Sequence, residues 1–149
     1  MQVSKSMFHE DLQSSIFTGN ILSSLMSRKW GVNLMHAAMK LLKGKNIKGL
    51  HCEEQYIPSK SGGDEIRVRI FKPQSFEGEL PGMLYNHGGG YMIGVPEVSL
   101  DLFEKYIQTR PCVIVAPDYS KSVKNPFPAG FNDCYDTLLW MKEHAASLG

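Results

Sequence analysis

The sequence predicts an α/β fold, and a few stretches of the chain carry this prediction. Residues 65–71 alternate apolar and charged side chains, which is typical of a β-strand with one buried face. Residues 112–116 are continuously apolar and β-branched, as in parallel strands covered on both faces. Residues 98–110 and 133–148 repeat apolar side chains at helical spacing, and Asp133 is placed to cap the second of these helices. This order of strands and helices indicates a mixed sheet with an antiparallel edge.

The first 49 residues are predicted to be helical. Apolar side chains recur every three or four positions between residues 21 and 43, which predicts an amphipathic helix or a helix pair broken near Gly31. We expect this apolar stripe to pack against the body of the protein. The segment up to Gly49 carries a net charge of +5, while the whole chain carries only +1. A solvated helix face accounts for this charge more simply than contact with an anionic surface.

The sheet is predicted to begin with a β-hairpin formed by residues 51–57 and 65–71. The turn between them contains Pro58, Ser61, Gly62 and Gly63. Because Arg67 and Arg69 alternate with isoleucine and valine, we expect both arginines on an exposed face. Residues 82–86 form a short apolar strand after the hairpin, so the full order is hairpin, then β-α-β-α.

Composition excludes several classes of protein. The chain has 149 residues, of which 42% are hydrophobic and 21% charged, as expected for a globular domain with a core. Its three cysteines are widely spaced and odd in number, which argues against a disulfide framework or a zinc site and favours a reducing compartment. No signal-peptide pattern, long apolar run or basic stretch with interleaved aromatics is present. We therefore expect a cytoplasmic, soluble protein with no transmembrane segment and no nucleic-acid partner.

The most informative motif is His87-Gly88-Gly89-Gly90, which follows the strand at residues 82–86. Consecutive glycines let the backbone approach a reacting atom and aim N–H groups at a developing oxyanion. A dinucleotide fingerprint is disfavoured because position 93 is isoleucine, and a phosphate loop because no Gly-Lys-Ser/Thr follows. A purely structural turn remains a weaker alternative. None of the fourteen serines lies in a Gly-x-Ser-x-Gly frame, so the nucleophile that usually accompanies such a motif is missing.

Two blocks of sequence resemble the hormone-sensitive-lipase branch of the α/β-hydrolases, also called the α/β-hydrolase-3 esterases. The first is residues 87–94, and the second runs from Val115-Ala116-Pro117-Asp118-Tyr119 to Leu139-Trp140. Residues 120–125 depart from the Arg-Leu-Ala-Pro-Glu run usual in this family. The resemblance implies an α/β-hydrolase fold, of which residues 50–149 would form the N-terminal half. Residues 1–49 would form a helical lead or cap segment.

The resemblance also implies roles for individual residues. The oxyanion hole would be formed by the backbone of Gly88, Gly89 and Gly90, with N–H donation from the last two. His87 and Asp118 would support the loop through hydrogen bonds, and a general-base role for His87 remains a weaker alternative. Tyr91 and Met92 would line the substrate pocket, although ordinary core packing explains them equally well. The catalytic Ser/Asp/His triad would lie beyond Gly149, and no metal or cofactor is implied.

We therefore interpret the chain as part of a carboxylic ester hydrolase, an esterase or lipase-like serine hydrolase that acts on small carboxylic esters. By itself the chain is expected to be inactive, because it lacks the nucleophile. We expect it to form a homo-oligomer or to bind a complementary C-terminal half. The alternative is a non-catalytic half-hydrolase that acts as a binding or interaction module.

Overall fold

The computed structural model describes residues 5–60 and 65–149. The chain divides into two compact units, with the boundary between Ala37 and Ala38. This boundary lies earlier in the chain than the predicted domain limit after Gly49. The predicted hairpin-turn residues Ser61, Gly62 and Gly63 lie outside the described residues.

The N-terminal unit is helical. A 3-10 turn, Lys5–Met7, precedes α1 (Glu10–Gln13), α2 (Ile16–Met26) and α3 (Lys29–Lys40), which continues across the unit boundary. The predicted break therefore lies at residues 27–28, and not at Gly31. Gly31 lies inside α3, where a Cβ would overlap the carbonyl group of Leu25 at the end of α2, so the glycine allows the close helix contact.

The apolar stripe of this helical region is only partly buried. Val32 is buried, whereas Trp30 and Leu34 are 57% and 54% exposed. The expectation that the stripe packs against the body of the protein stays a prediction. No helix within the described ranges is long and apolar enough to cross a membrane.

The second unit contains a four-stranded mixed sheet. Its strands are β1 (Leu50–Ile57), β2 (Ile66–Pro73), β3 (Gly82–Leu84) and β4 (Val113–Pro117). Their order across the sheet is β1-β2-β4-β3. The pairs β1–β2 and β2–β4 are antiparallel, and β3–β4 is parallel. The predicted hairpin and the predicted mixed sheet are confirmed.

Helices cover both faces of this sheet, which explains the continuous apolar run in β4. A 3-10 turn, Pro96–Ser99, leads into α4 (Leu100–Thr109), and the chain ends with α5 (Ala129–Glu143) and α6 (Ala145–Leu148). On one face, Phe103 and Ile107 of α4 join a core cluster with the side chains of Phe71 and Ile114. On the other face, side chains of α5 and α6 pack against the alternate positions of the same two strands. These positions are Val68, Ile70, Val113 and Val115.

The charged side of β2 is buried, contrary to the sequence prediction. Arg67 and Arg69 are only 7% and 3% exposed. Arg67 forms ion pairs with Glu97 in the turn before α4 and with Glu54 of β1, the latter at 2.7 Å. Carboxylates from two other elements thus pair with the Arg67 guanidinium, which allows this charged side chain to be buried.

The last long helix begins earlier than predicted. It starts at Ala129, so Asp133 lies inside α5 and the prediction that it caps the helix is wrong. Its buried carboxylate accepts a hydrogen bond from the backbone N–H of Ser120 at 2.7 Å and one from the Ser59 hydroxyl at 3.4 Å. Asp133 therefore ties the loop after β4 to the helix.

Candidate functional site

The glycine motif lies at the carboxyl end of β3. The N–H of Tyr85 donates to the carbonyl of Val115 at 2.9 Å and extends the β3–β4 ladder by one residue. The chain then leaves the sheet in residues 86–94, which we call the glycine turn. In open α/β sheets, ligands bind outside the carboxyl ends of the strands, and the glycine turn occupies such a position.

The backbone of the glycine turn requires glycine at specific points. Gly89 and Gly90 have φ of +124° and +60°, and Tyr91 follows with φ of 57°. The carbonyl of Gly89 accepts hydrogen bonds from the N–H groups of Met92 at 3.0 Å and Ile93 at 3.2 Å. A Cβ at Gly89 would overlap the carbonyl oxygen of Ile93. Both the φ angle and the available space therefore exclude a side chain at this position.

The N–H groups of the three motif glycines are available to an external acceptor. Within the described ranges, no hydrogen bond is found for the N–H of Gly88, Gly89 or Gly90. Gly88 and Gly90 are exposed, and Gly89 is half-buried. Consecutive unbonded N–H groups at the edge of a cleft are suited to binding a negatively charged oxygen.

His87 is packed beneath the turn and does not face the cleft as a free base. Its side chain is buried and its ring stacks on that of Tyr119, with centroids 4.2 Å apart and planes inclined by 12°. Ring Nδ1 lies 2.8 Å from the carbonyl oxygen of Gly88. Burial lowers the pKa of His87 to about 4, and the nearby charge of Lys121 acts in the same direction. His87 is therefore neutral at pH 7.

Gly94 makes room for this arrangement. Its φ is +109°, and a Cβ there would come within 2.5 Å of His87 Nδ1 and 2.6 Å of the Gly88 oxygen. The fourth glycine of the motif thus lets the His87 ring reach the Gly88 carbonyl. The hydroxyl of Tyr119 also donates to the carbonyl of His87, at 2.5 Å.

Asp118 reaches His87 only through an intermediate. It follows β4 directly, and its carboxylate contacts the ammonium groups of Lys43 at 2.6 Å and Lys121 at 3.1 Å. Although burial acts to raise it, the pKa of Asp118 is held below its usual value by these two lysines. Lys121 Nζ in turn lies 3.2 Å from His87 Nε2. Asp118 is therefore linked to His87 through Lys121, a residue that the sequence did not indicate as part of the site.

Two small cavities adjoin the glycine turn. One, of about 210 Å³, is lined by His87, Gly88, Gly90 and Tyr91, with Asn86, Tyr119 and Cys134 completing its wall. The other, of about 280 Å³, is mostly apolar; besides Tyr91 its lining includes Phe127, Gly130 and Phe131. Tyr91 is half exposed and faces both cavities, whereas Met92 is half-buried and lines neither.

A larger cleft of about 830 Å³ has Asp118 and Lys121 among its lining residues. Its lining is mostly polar and contains none of the three motif glycines. We therefore place the candidate site at the two smaller cavities. Phe127 and Phe131 join this site from the loop before α5 and from α5 itself. No local pattern in the sequence marks Phe127 or Phe131 as a site residue.

Comparison with known proteins agrees with this architecture. A family model described as an alpha/beta hydrolase fold, Abhydrolase_3, matches residues 83–149. This segment belongs to the α/β-hydrolase-3 family. The predicted resemblance to hormone-sensitive-lipase-type carboxylesterases is confirmed, and the four-stranded sheet is the N-terminal portion of the α/β-hydrolase fold.

Individual relatives extend this similarity beyond the family segment. Carboxylesterase NlhH of Mycobacterium tuberculosis is 30% identical over 121 residues, which are 80% of this chain and 38% of that protein. An AB hydrolase superfamily protein of Schizosaccharomyces pombe, C1039.03, is 29% identical over 119 residues, covering 78% and 34% of the two chains. The chain thus spans less than two fifths of the length of these curated relatives.

Solved structures of esterases share the fold. A bacterial heroin esterase superposes with a TM-score of 0.69 at 26% identity, over 86% of this chain and 40% of that one. An esterase of Pyrobaculum calidifontis gives a TM-score of 0.64 at 25% identity, over 84% and 39% of the two chains. The family match at residues 83–149 includes the glycine turn, α4, β4 and α5.

Proposed function

We propose that this chain supplies the oxyanion hole of a carboxylic ester hydrolase. The observation that carries the proposal is the row of unbonded N–H groups at Gly88, Gly89 and Gly90, at the carboxyl end of β3 and beside a small cavity. Donation from Gly89 and Gly90 to a tetrahedral oxyanion would stabilise the transition state by about 3 kcal/mol for each donor. His87 and Asp118 are proposed to support the turn.

A small carboxylic ester is the substrate class that this site suits. Tyr91, Phe127 and Phe131 offer apolar surface next to the oxyanion donors, where an acyl or alcohol group would bind. The relative NlhH is named a carboxylesterase, which supports the same class. Met92 lines neither cavity, so these cavities give no support to its predicted contact with substrate.

The nucleophile, acid and catalytic histidine are not assigned to any residue of this chain. No serine has the Gly-x-Ser-x-Gly frame of a nucleophile elbow. Both ring nitrogens of His87 already contact protein atoms, so this residue is poorly placed to act as a general base. Acyl-enzyme chemistry needs no metal or cofactor, and we propose none.

A non-catalytic binding module is the second candidate function. The absence of a nucleophile frame from all 149 residues favours it. Such a module would use the glycine turn to hold an anion or a carbonyl oxygen without turnover.

A chimera distinguishes the two functions. Residues 38–149 would replace the matching segment of carboxylesterase NlhH, which would supply the remainder of the fold. We expect the chimera to hydrolyse p-nitrophenyl acetate and its serine to react with a fluorophosphonate probe. The isolated chain should do neither. A well-folded chimera without turnover would favour the binding module, and labelling of a serine in the isolated chain would contradict the proposed absence of a nucleophile.

A further inference from the structure

Lys121 occupies a position next to the glycine turn that the proposed function leaves unexplained. It lies in residues 120–125, where the sequence departs from the family pattern, and its side chain is only 14% exposed. Its ammonium group contacts the Asp118 carboxylate at 3.1 Å, the backbone carbonyl of Tyr119, and His87 Nε2 at 3.2 Å. It also lies 4.2 Å from the centroid of the Tyr119 ring. A lysine used only for solubility would not be enclosed in this way.

The contacts of His87 require one particular tautomer. The Gly88 carbonyl oxygen, 2.8 Å from Nδ1, can only accept, so Nδ1 must carry the proton. An ammonium group can only donate, so Nε2, 3.2 Å from Lys121 Nζ, must be the acceptor. The two contacts are therefore compatible only in the neutral Nδ1–H form. The lowered pKa of His87, which results mainly from burial, agrees with a neutral ring.

This tautomer also orients an oxyanion donor. The carbonyl of Gly88 and the N–H of Gly89 belong to the same planar trans peptide and point in opposite directions. A hydrogen bond that holds the Gly88 oxygen towards the buried His87 ring therefore turns the Gly89 N–H away from the ring. In the neutral Nε2–H form, Nδ1 would be an acceptor facing another acceptor, and this peptide would lose its anchor.

We propose that Lys121 is a positioning residue that holds His87 in the Nδ1–H tautomer and thereby orients the Gly89 N–H. The inference rests on the proposed function only in treating that N–H as an oxyanion donor. The Asp118 carboxylate forms an ion pair with Lys121, and it also contacts Lys43 Nζ at 2.6 Å and Arg67 Nη1 at 3.4 Å. Lys121 is thus connected through Asp118 to the buried Arg67 of β2.

The test is NMR spectroscopy of the isolated chain, in which the ¹⁵N shifts of the His87 ring report the tautomer directly. The unsubstituted chain should show the Nδ1–H form in excess. In Lys121→Met, which keeps the length of the side chain but removes the donor, the ratio of Nδ1–H to Nε2–H should fall roughly tenfold, as expected when a hydrogen bond to a charged group is lost. The pKa of His87 should rise, because a nearby positive charge has been removed while Asp118 and Glu97 remain.

Two further variants isolate the contact. Lys121→Arg keeps a donor-only cation and should retain the Nδ1–H form. Lys124→Met removes the same charge from an exposed position with no side-chain contact to His87, and it should leave the ring signals and the Gly89 amide signal unchanged. In Lys121→Met the Gly89 amide signal should move. Far-UV circular dichroism would establish that each variant is folded.

An excess of the Nε2–H form in the unsubstituted chain would overturn the proposal without any variant. An unchanged tautomer ratio in folded Lys121→Met, or an equal change in Lys124→Met, would do the same. If Lys121→Met fails to fold, the unsubstituted chain and Lys121→Arg still decide the question. Since none of these measurements needs catalysis, an inactive chimera would count against the proposed function while leaving this inference standing.

Discussion

At the scale of single residues, Gly89 is the position on which the proposed oxyanion site depends most directly. In the chimera, Gly89→Ala should lower kcat by about 10²–10³-fold, the typical effect of removing one oxyanion donor, because the new Cβ would displace the carbonyl of Ile93 and with it the local backbone. Gly78→Ala is a matched control, since Gly78 has φ of +90° in a remote loop with open space around it. A Gly89→Ala chimera that loses no more kcat than Gly78→Ala would show that the turn is not the oxyanion site.

The buried neutral state of His87 predicts a pH dependence of stability. Its pKa falls from about 6.5 in the unfolded chain to about 4 in the folded protein, so the unfolded state binds more protons between these values. Stability should therefore decrease as pH falls through this window, by about 2 kcal/mol between pH 7 and pH 5 from this residue. Asp118 and Glu54 have lowered carboxyl pKa values and contribute mainly below this window.

Urea denaturation at pH 7 and pH 5 measures this difference. His87→Asn retains an N–H donor for the Gly88 carbonyl but cannot be protonated in this range. The variant should be less stable at pH 7, and its loss of stability between pH 7 and pH 5 should be clearly smaller. If the variant loses as much stability as the unsubstituted chain, His87 is not the group responsible.

Residue-scale features differ in how far the sequence reveals them. The glycine turn could be predicted because its backbone conformation demands glycine locally, at Gly89 and Gly94. The burial of Arg67 and the role of Lys121 could not, because both depend on partners far away in sequence, such as Glu97 for Arg67 and His87 for Lys121. A charged residue that alternates with apolar ones looks exposed until its counter-ion is known.

At the scale of elements, apolar patterns in the sequence predicted the presence of strands and helices better than they predicted the residues at which these elements begin and end. The β4 run gave a strand covered on both faces, as predicted, because α4 and α5 pack on opposite sides of it. The start of α5 was misplaced because Asp133, a common capping residue, is used instead to bond the loop at Ser120. Local propensity is overridden here by a tertiary hydrogen bond.

This use of Asp133 leads to a prediction about the loop. Asp133→Ala should destabilise the protein by about 1–3 kcal/mol, because the Ser120 N–H loses its acceptor in a partly buried site. Glu143→Ala, at an exposed position of the same helix with only a 3.9 Å ion pair to Lys60, should cost less than about 0.5 kcal/mol. Thermal unfolding of both variants is the measurement, and equal losses would contradict the assigned role of Asp133.

At the scale of the whole molecule, the sheet has two edges of different character. The outer strand β1 carries Glu53 and Glu54, and such charges discourage pairing with another chain. The other edge, β3, consists of Gly82, Met83 and Leu84 and has no charge. The β3 edge is therefore the less protected of the two.

The backbone of β3 offers unpaired groups along this edge. The carbonyl of Pro81 and the N–H of Tyr85 bond to β4, so the odd-numbered residues face β4 and the polar backbone groups of Gly82 and Leu84 face outward. We expect the isolated chain to associate through this edge, with a second copy or with a complementary half. Light scattering should show dimers or larger species, because an uncharged, unpaired strand edge readily accepts another strand.

A charge placed on the edge tests this expectation. Leu84→Lys should shift the chain towards monomer, because a lysine on an edge strand opposes pairing, and Leu84 belongs to neither core cluster. Leu138→Lys makes the same substitution on the outer surface of α5, where Leu138 is 47% exposed, and should leave the association unchanged. Equal dissociation in both variants would mean that net charge, and not the β3 edge, controls assembly. A monodisperse monomer before any substitution would contradict the predicted association itself, since β3 would then remain unpaired in solution without attracting a second strand.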